Sequence, residues 1–178
     1  MHGLCRGAGH RPKEGDTVAV SAAAGGVGTV VVQLLGLRGS QVLGVASSAN
    51  AGWLSSHRAV PVAYGDGLAE RLRAAAPDGI DAFIDLFGPD YVQLAADLGI
   101  AHDRIETITS PDKAAELGTK AEGSVSASTP EVLTEMAGLV ASGAIEVPIA
   151  ATYPLERVVD AFAELEQRHT RGKIVLIP

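Results

Sequence analysis

The sequence contains little cysteine and no long uninterrupted hydrophobic run. Its one cysteine, Cys5, cannot form an internal disulfide, so a free thiol in a reducing compartment is the simplest interpretation. No window of about 18 residues stays apolar without Gly, Ser, Gln or a charge, which argues against a membrane-spanning helix. The first 16 residues carry basic side chains but not the apolar core of a secretion signal. We therefore expect a cytoplasmic protein.

Positive charge is also scarce. Lys and Arg number 14 against 21 Asp and Glu, which gives a formal net charge of -7. This balance disfavours nucleic acid as a partner, because phosphate binding needs a concentrated basic surface. Small molecules or proteins are the expected partners. The histidines lack the pair spacing of a zinc site, so we predict no metal; they are His2, His10, His57, His102 and His169.

Strand-like runs alternate with helix-like runs along most of the chain. Five runs have the composition of strands, at residues 17–22, 41–47, 59–64, 79–88 and 104–109. This alternation predicts an α/β fold, a doubly wound parallel sheet of the Rossmann type with helices on both faces. We expect an irregular segment over 1–14, a dinucleotide-binding domain over 15–150 and a C-terminal helix–strand appendage over 151–178.

The segments outside these strands carry further signals. A helix is predicted around Tyr91–Leu98, and an amphipathic helix over Leu155–Arg168 precedes a terminal strand, GKIVLIP. Ser110 and Thr129 each stand before a proline, which predicts two helix starts with a capping hydroxyl. Between them, EGSVSA (122–127) is a candidate short edge strand.

The stretch AVSAAAGGVGTVVVQLLG (19–36) joins a strand-like run to a helix-like run through small residues. Ala23, Gly25 and Gly28 take the three positions of a G-x-G-x-x-G pattern, with alanine in the first. Small residues there let a diphosphate approach the backbone amides at the start of the helix. We predict a dinucleotide site in which Gly25, Gly26, Val27 and Gly28 bind the diphosphate; a merely structural turn is the alternative.

The missing acidic residues indicate which dinucleotide binds. An NAD site usually places Asp or Glu about twenty residues after the glycines, at the end of the second strand. This chain has no acidic residue between Asp16 and Asp66, which favours NADP. Ser47 and Ser48 offer hydroxyls to a 2'-phosphate, although an ordinary polar turn would look the same.

Competing chemistries lack their motifs. The three tyrosines are followed four residues later by Leu68, Ala95 and Arg157, so no Tyr-x-x-x-Lys pair exists. Neither a P-loop nor a G-x-S-x-G elbow occurs. Asp81 and Asp85 lie roughly 13 Å apart if both are on the fourth strand, too far to share a proton, and are expected to be strand-end polar groups.

Several motifs together resemble one family, the zinc-independent medium-chain dehydrogenase/reductases of the NADPH quinone oxidoreductase-like branch. These are GDTVAVSAAAGGVGTVVVQLL, VLGVASS, GIDAFIDLFGPDY and GKIVLIP, and the resemblance extends from about Gly15 to Pro178. It implies an NADPH-dependent reduction of a quinone or enone by hydride transfer. It assigns no catalytic side chain, since the cofactor itself is the reductant.

The resemblance also implies positions for the cofactor. Ser48, Tyr64 and Arg168 match residues that hold the 2'-phosphate, whereas the family's lysine is replaced by Ala51. The segment Thr107–Thr109, which includes Ile108, is implied near the nicotinamide together with Phe87 and Gly88. A homodimer through an edge strand near EGSVSA is implied as well.

The resemblance departs from the family at the N-terminus. Members carry a β-rich catalytic domain before the nucleotide-binding domain, and here only residues 1–14 precede it. We therefore expect a truncated oxidoreductase, in which 151–178 is the remnant of the catalytic domain. A non-redox scaffold, a binding module or a biosynthetic cyclase or isomerase on the same fold remains the alternative.

Overall fold

A parallel five-stranded sheet forms the centre of the protein. The computed structural model describes residues 12–122 and 128–178. The five strands are β1 (Thr17–Val20), β2 (Gln41–Ala46), β3 (Ala59–Ala63), β4 (Ala82–Asp85) and β5 (Ile105–Thr107). They pair in the order β3-β2-β1-β4-β5, and every pair is parallel. The predicted doubly wound fold and all five predicted strands are confirmed.

Helices follow the strands and cover both faces of the sheet. They are α1 (Gly28–Leu37), α2 (Ala51–Ser56), α3 (Leu68–Ala75), α4 (Pro89–Asp97), α5 (Pro111–Leu117), α6 (Pro130–Ala141) and α7 (Val158–Glu166). From β1 the chain proceeds outward to β2 and β3, and then returns to place β4 on the other side of β1. The carboxyl end of β1 therefore lies at the point where the strand order reverses, where sheets of this kind bind ligands.

The core has two layers, one on each face of the sheet. Val18 and Val20 point into one layer with Val32 of α1, while Ala19 packs in the other with Phe83 and further apolar side chains. All five of these residues are fully buried. Strands buried on both faces are typical of parallel sheets, which explains the continuous apolar runs in the sequence.

The two helix starts predicted at prolines are at the right places, but only one carries the expected cap. Thr129 Oγ1 accepts a hydrogen bond from the Val132 amide at the start of α6. Ser110 makes no such bond at the start of α5. Its amide donates instead to Thr107 Oγ1 at 3.2 Å, because the loop after β5 is held by a separate polar network.

The C-terminal appendage differs in detail from its prediction. It contains a strand the sequence analysis did not identify, β6 (Ile149–Pro154), which pairs in parallel with β7 (Lys173–Ile177). The predicted amphipathic helix is shorter: a 3₁₀ turn covers Leu155–Arg157, and α7 ends before Arg168, whose φ of +56° is incompatible with a helix.

β5 is the strand at one edge of the main sheet. Lys120 forms a parallel bridge with Glu106 of β5. Of the predicted edge strand at 122–127, residues 123–127 lie outside the described residues. Among the residues that are described, no helix is long and apolar enough to cross a membrane.

Candidate cofactor site

The loop between β1 and α1 requires small residues at defined positions. A Cβ atom at Gly28 would lie 2.1 Å from the carbonyl oxygen of Ala22 and 2.7 Å from the carbonyl carbon of Ala23. Ala22 itself has a φ of +46°, so the chain turns sharply there. Gly28 thus allows the start of α1 to lie directly against the turn that follows β1.

The amides that follow the turn are available to a ligand. Gly25 donates to Ala22 and Thr29 donates to Gly25, at 2.9 and 3.0 Å. In the described part of the chain, the amides of Gly26, Val27 and Gly28 have no acceptor. The hydroxyl of Thr29, in the first turn of α1, is buried without a hydrogen-bond partner. Bare amides at the start of a ten-residue helix fit a diphosphate.

A second polar group lies where β2 and β3 end. The Tyr64 amide donates to the carbonyl of Ala46 at 3.2 Å, which brings Tyr64 beside the serines that follow β2. Ser47 Oγ accepts a hydrogen bond from the Asn50 side chain, and Ser48 is exposed. Ser47, Ser48 and Tyr64, which the sequence analysis grouped, are therefore close together at one edge of the sheet.

Aromatic side chains and an arginine gather after β4. The ring centroids of Phe87 and Tyr91 are 5.5 Å apart in an edge-to-face contact. The guanidinium carbon of Arg168 lies 5.6 Å from the Phe87 ring centroid, within cation–π range. Burial raises the pKa of Tyr91, and the nearby Asp85 and Tyr64 raise it further. Tyr91 therefore lies near both Tyr64 and Phe87, and Phe87 in turn contacts Arg168. Tyr91 was not among the site residues predicted from the sequence.

Phe87 and Arg168 were predicted at different ends of the dinucleotide. The structure makes them neighbours, since the guanidinium of Arg168 lies over the Phe87 ring. The placement of Phe87 near the nicotinamide stays a prediction. Ile108, the other apolar residue predicted there, is 43% exposed after β5.

A buried carboxylate organises the carboxyl ends of three strands. Asp85, the last residue of β4, is fully buried and accepts five hydrogen bonds. They come from the hydroxyls of Ser21, Thr107 and Thr109 and from the amides of Phe87 and Gly88, at 2.7–3.2 Å. Asp81, at the other end of β4, instead binds the Thr17 amide. The two aspartates are thus at opposite ends of the strand.

The hydrogen bonds around Asp85 have a defined direction. Ser21 Oγ accepts from the Leu86 amide, so its hydroxyl proton points to Asp85. Thr107 Oγ1 accepts from the amides of Thr109 and Ser110, and its proton also points to Asp85. Each of these bonds is therefore donated to Asp85, whose oxygens act as acceptors. This network positions the loops that surround the crevice, including Thr107.

Across 12–122 and 128–178, no group of three or more His, Cys, Asp or Glu side chains is arranged to hold a metal ion. His57 binds Glu146 at 3.2 Å and stacks on Trp53, so it belongs to a contact between α2 and the chain after α6.

A family model described as zinc-binding dehydrogenase matches residues 57–176. Prostaglandin reductase 1 of Bos taurus is 40% identical over 87 residues, which are 47% of this chain and 26% of the bovine protein.

Two solved structures resemble nearly the whole chain. The quinone oxidoreductase of Coxiella burnetii is 29% identical, with a TM-score of 0.77 over 92% of this chain and 53% of that one. A mycobacterial protein solved with NADPH is 25% identical, with a TM-score of 0.78 over 94% of this chain and 58% of that one. The chain therefore spans less than two thirds of each of these proteins.

Proposed function

The chain belongs to the zinc-binding dehydrogenase family, and on that premise we propose that it is a zinc-independent, NADPH-dependent oxidoreductase. In this proposal it transfers a hydride from NADPH to a quinone or an enone. The resemblance to the quinone oxidoreductase of Coxiella burnetii and to a prostaglandin reductase supports the type of reaction. The mycobacterial structure with NADPH supports the cofactor.

The observation that carries the proposal is the bare loop at the strand-order reversal. Three consecutive amides, from Gly26 to Gly28, point to no protein acceptor in the described residues, and Gly28 leaves no room for a side chain. In this proposal these amides and Gly25 hold the diphosphate. The positive end of the α1 dipole adds to their attraction for an anion.

The adenosine end is proposed to lie where β2 and β3 end. Ser47, Ser48 and Tyr64 would donate to the 2'-phosphate, and Arg168 would supply the cation that Ala51 does not. The lack of any acidic residue between Asp16 and Asp66 removes the repulsion that a carboxylate would exert on this phosphate. These features together favour NADPH over NADH.

At the other end, the chain is proposed to orient the reactive ring rather than react itself. When bound, the reduced nicotinamide supplies the hydride. Thr107 and the residues after it would border the ring, and Asp85 keeps this loop in place through Thr107 and Thr109. No side chain is assigned to proton transfer.

The C-terminal unit is proposed to be part of a second, catalytic domain. Val159 and Phe162 of α7 are 76% and 58% exposed, and Ile149 of β6 is 52% exposed. Apolar side chains this exposed favour packing against further protein. The proposed homodimer through the edge strand near 122–127 falls mostly on residues outside the described ranges.

The proposal is tested by titrating the purified chain with NADPH and with NADH in a calorimeter. We expect NADPH to bind at least about tenfold more tightly, because one charge-assisted contact to the 2'-phosphate is worth that factor. Addition of phenanthrenequinone should then oxidise the bound NADPH. The reaction is measured as the decrease in NADPH absorbance.

Two results would contradict the proposal. Binding of neither nucleotide would support the non-redox scaffold, and tighter binding of NADH would refute the role of the serines and Arg168. Gly28→Ala, whose Cβ would overlap the Ala22 carbonyl oxygen, should abolish NADPH binding, whereas Gly138→Ala in α6 should leave it unchanged, since nothing lies within 4 Å of the added Cβ.

A further inference from the structure

Arg71 of α3 holds the loop that follows β3. Its side chain donates three hydrogen bonds to backbone carbonyls, from Nε to Ala63 at 2.9 Å, from Nη1 to Asp66 at 2.7 Å and from Nη2 to Gly65 at 3.1 Å. These carbonyls lie on both sides of Tyr64 in the sequence. One guanidinium group therefore ties the chain before Tyr64 to the chain after it, a task that suits the planar fork of donors on arginine.

The base of Arg71 is itself fixed. Leu72, the next residue, is fully buried in the core, and the Arg71 amide donates to the Gly67 carbonyl at 3.1 Å at the start of α3. In the described part of the chain, no carboxylate pairs with the guanidinium. The hydrogen bonds of the Arg71 side chain therefore all go to the loop.

The loop needs this support because its own backbone is permissive. Gly65 and Gly67 have φ angles of +98° and +75°, and a Cβ added to Gly65 would meet nothing within 4 Å. Glycine avoids strain at such positions but loses more conformational freedom on folding than any other residue. The three bonds from Arg71 offset that loss and hold the chain around Tyr64 in one path.

The direction of the Tyr64 side chain depends on this path. The side chain is 49% exposed, and within the described ranges its hydroxyl has no hydrogen-bond partner. Since no hydrogen bond directs the ring, its direction follows from the backbone at residue 64, which Arg71 fixes on both sides.

We propose that Arg71 is a positioning residue for recognition of the 2'-phosphate: by fixing the backbone around Tyr64, it directs the tyrosine hydroxyl to that phosphate. The inference rests on the proposed function, in which Tyr64 donates to the 2'-phosphate. It assigns Arg71 no contact with the nucleotide. The arginine acts through its geometry and not through its charge, so a lysine should not replace it.

The test is a double-mutant cycle between Arg71 and Tyr64, measured by calorimetric titration with NADPH and with NADH. Tyr64→Phe removes the hydroxyl and should weaken NADPH binding about tenfold, as expected for a hydrogen bond to a charged group. Arg71→Lys keeps the charge but cannot bridge three carbonyls, and should weaken NADPH binding about five- to tenfold. In the Tyr64→Phe background, Arg71→Lys should change NADPH binding less than about twofold, because the two residues act as one unit. NADH, which lacks the 2'-phosphate, should bind within about twofold in every variant.

Arg73→Lys is the matched control. Arg73 lies two positions further along α3 and is exposed, and across 12–122 and 128–178 it makes no hydrogen bond. The substitution makes the same chemical change and should leave the binding of both nucleotides unchanged. If Arg71→Lys does not fold, Tyr64→Phe alone still tests the proposal, because full NADPH binding without the hydroxyl would refute it.

The outcomes separate this inference from the proposed function. If the unsubstituted chain prefers NADPH and Arg71→Lys keeps that preference, the role of Arg71 is refuted while the proposed function stands. Additive effects of the two substitutions would mean that Arg71 acts apart from Tyr64 and would also refute it. Equal weakening of NADPH and NADH would indicate general damage, with the same consequence. If the unsubstituted chain binds neither nucleotide, the inference and the proposed function both fail.

Discussion

The hydroxyl of Ser21, just after β1, donates a hydrogen bond of 2.7 Å to the carboxylate of Asp85 at the end of β4. Both side chains are fully buried. The strand order reverses between β1 and β4. This bond therefore joins the two strand ends at which the cofactor is proposed to bind. Because Thr107 of β5 donates to the same carboxylate, three strand ends are held by one charge.

Asp85→Asn should therefore destabilise the protein. Thr107 and Thr109 both donate to one oxygen of Asp85, and an NH₂ group in its place cannot accept either bond. Thr107 Oγ1 already accepts two backbone amides, so it is poorly placed to accept a third donor. We expect a loss of about 3 kcal/mol in the free energy of unfolding, measured by urea denaturation. Asp78→Asn, at an exposed position, should change it by less than about 0.5 kcal/mol. Equal stability of the two variants would contradict the role of the network.

Gly28→Ala should disrupt the glycine loop. The added Cβ would overlap the carbonyl oxygen of Ala22, and backbone cannot yield as a flexible side chain can. Unfolding free energy should fall by about 1–3 kcal/mol, and NADPH binding should be lost in the folded fraction. Gly138→Ala, in the interior of α6, should instead raise stability by about 0.5–1 kcal/mol. Thermal denaturation of both variants measures the difference. A Gly28→Ala variant as stable as the unsubstituted chain would refute the requirement for glycine at this position.

Arg168→Leu should reduce the preference for NADPH over NADH. The guanidinium lies over Phe87 and is proposed to contact only the 2'-phosphate. Calorimetry should show NADPH binding weakened about tenfold, with NADH binding almost unchanged. Arg73→Leu, which removes the same charge from α3, serves as the control. An equal loss for both nucleotides would place Arg168 elsewhere in the site.

Glu164→Gln should lower the pKa of Tyr153. The Tyr153 hydroxyl donates to Glu164 at 2.5 Å, and this hydrogen bond is the main reason that the pKa lies above its ordinary value of 10.0. Carbon NMR of the tyrosine rings measures the shift directly. A Tyr153 pKa that stays raised in Glu164→Gln would contradict this assignment.

The same bond predicts how stability depends on pH. A raised folded-state pKa means that the folded protein holds the tyrosine proton more tightly than the unfolded chain. The stabilisation is therefore present below pH 10.0 and is lost as pH rises through the raised pKa. Thermal denaturation of the unsubstituted chain and Glu164→Gln should thus differ near neutral pH and converge in strong alkali.

Local patterns predicted the repeated elements well. The five strands could be read from apolar runs, and proline after Ser110 and Thr129 marked two helix starts correctly. Strand β6 was missed because IAATYP follows Pro148 and itself ends in Pro154, so its strand character depends on pairing with β7. The predicted cap at Ser110 was wrong for a related reason. The Ser110 amide donates to Thr107 Oγ1, and this bond to the end of β5 orients Ser110.

By itself, the sequence determined the alternation of strands and helices and the small residues between β1 and α1, because both depend on neighbours within a few positions. Only the tertiary structure decided which distant side chains meet: Ser21 with Asp85, Phe87 with Arg168, and Lys173 with Gly26. These contacts arise at the carboxyl ends of the strands, where the C-terminal segment also lies. No local periodicity encodes that convergence, since it follows from the order in which the strands pair.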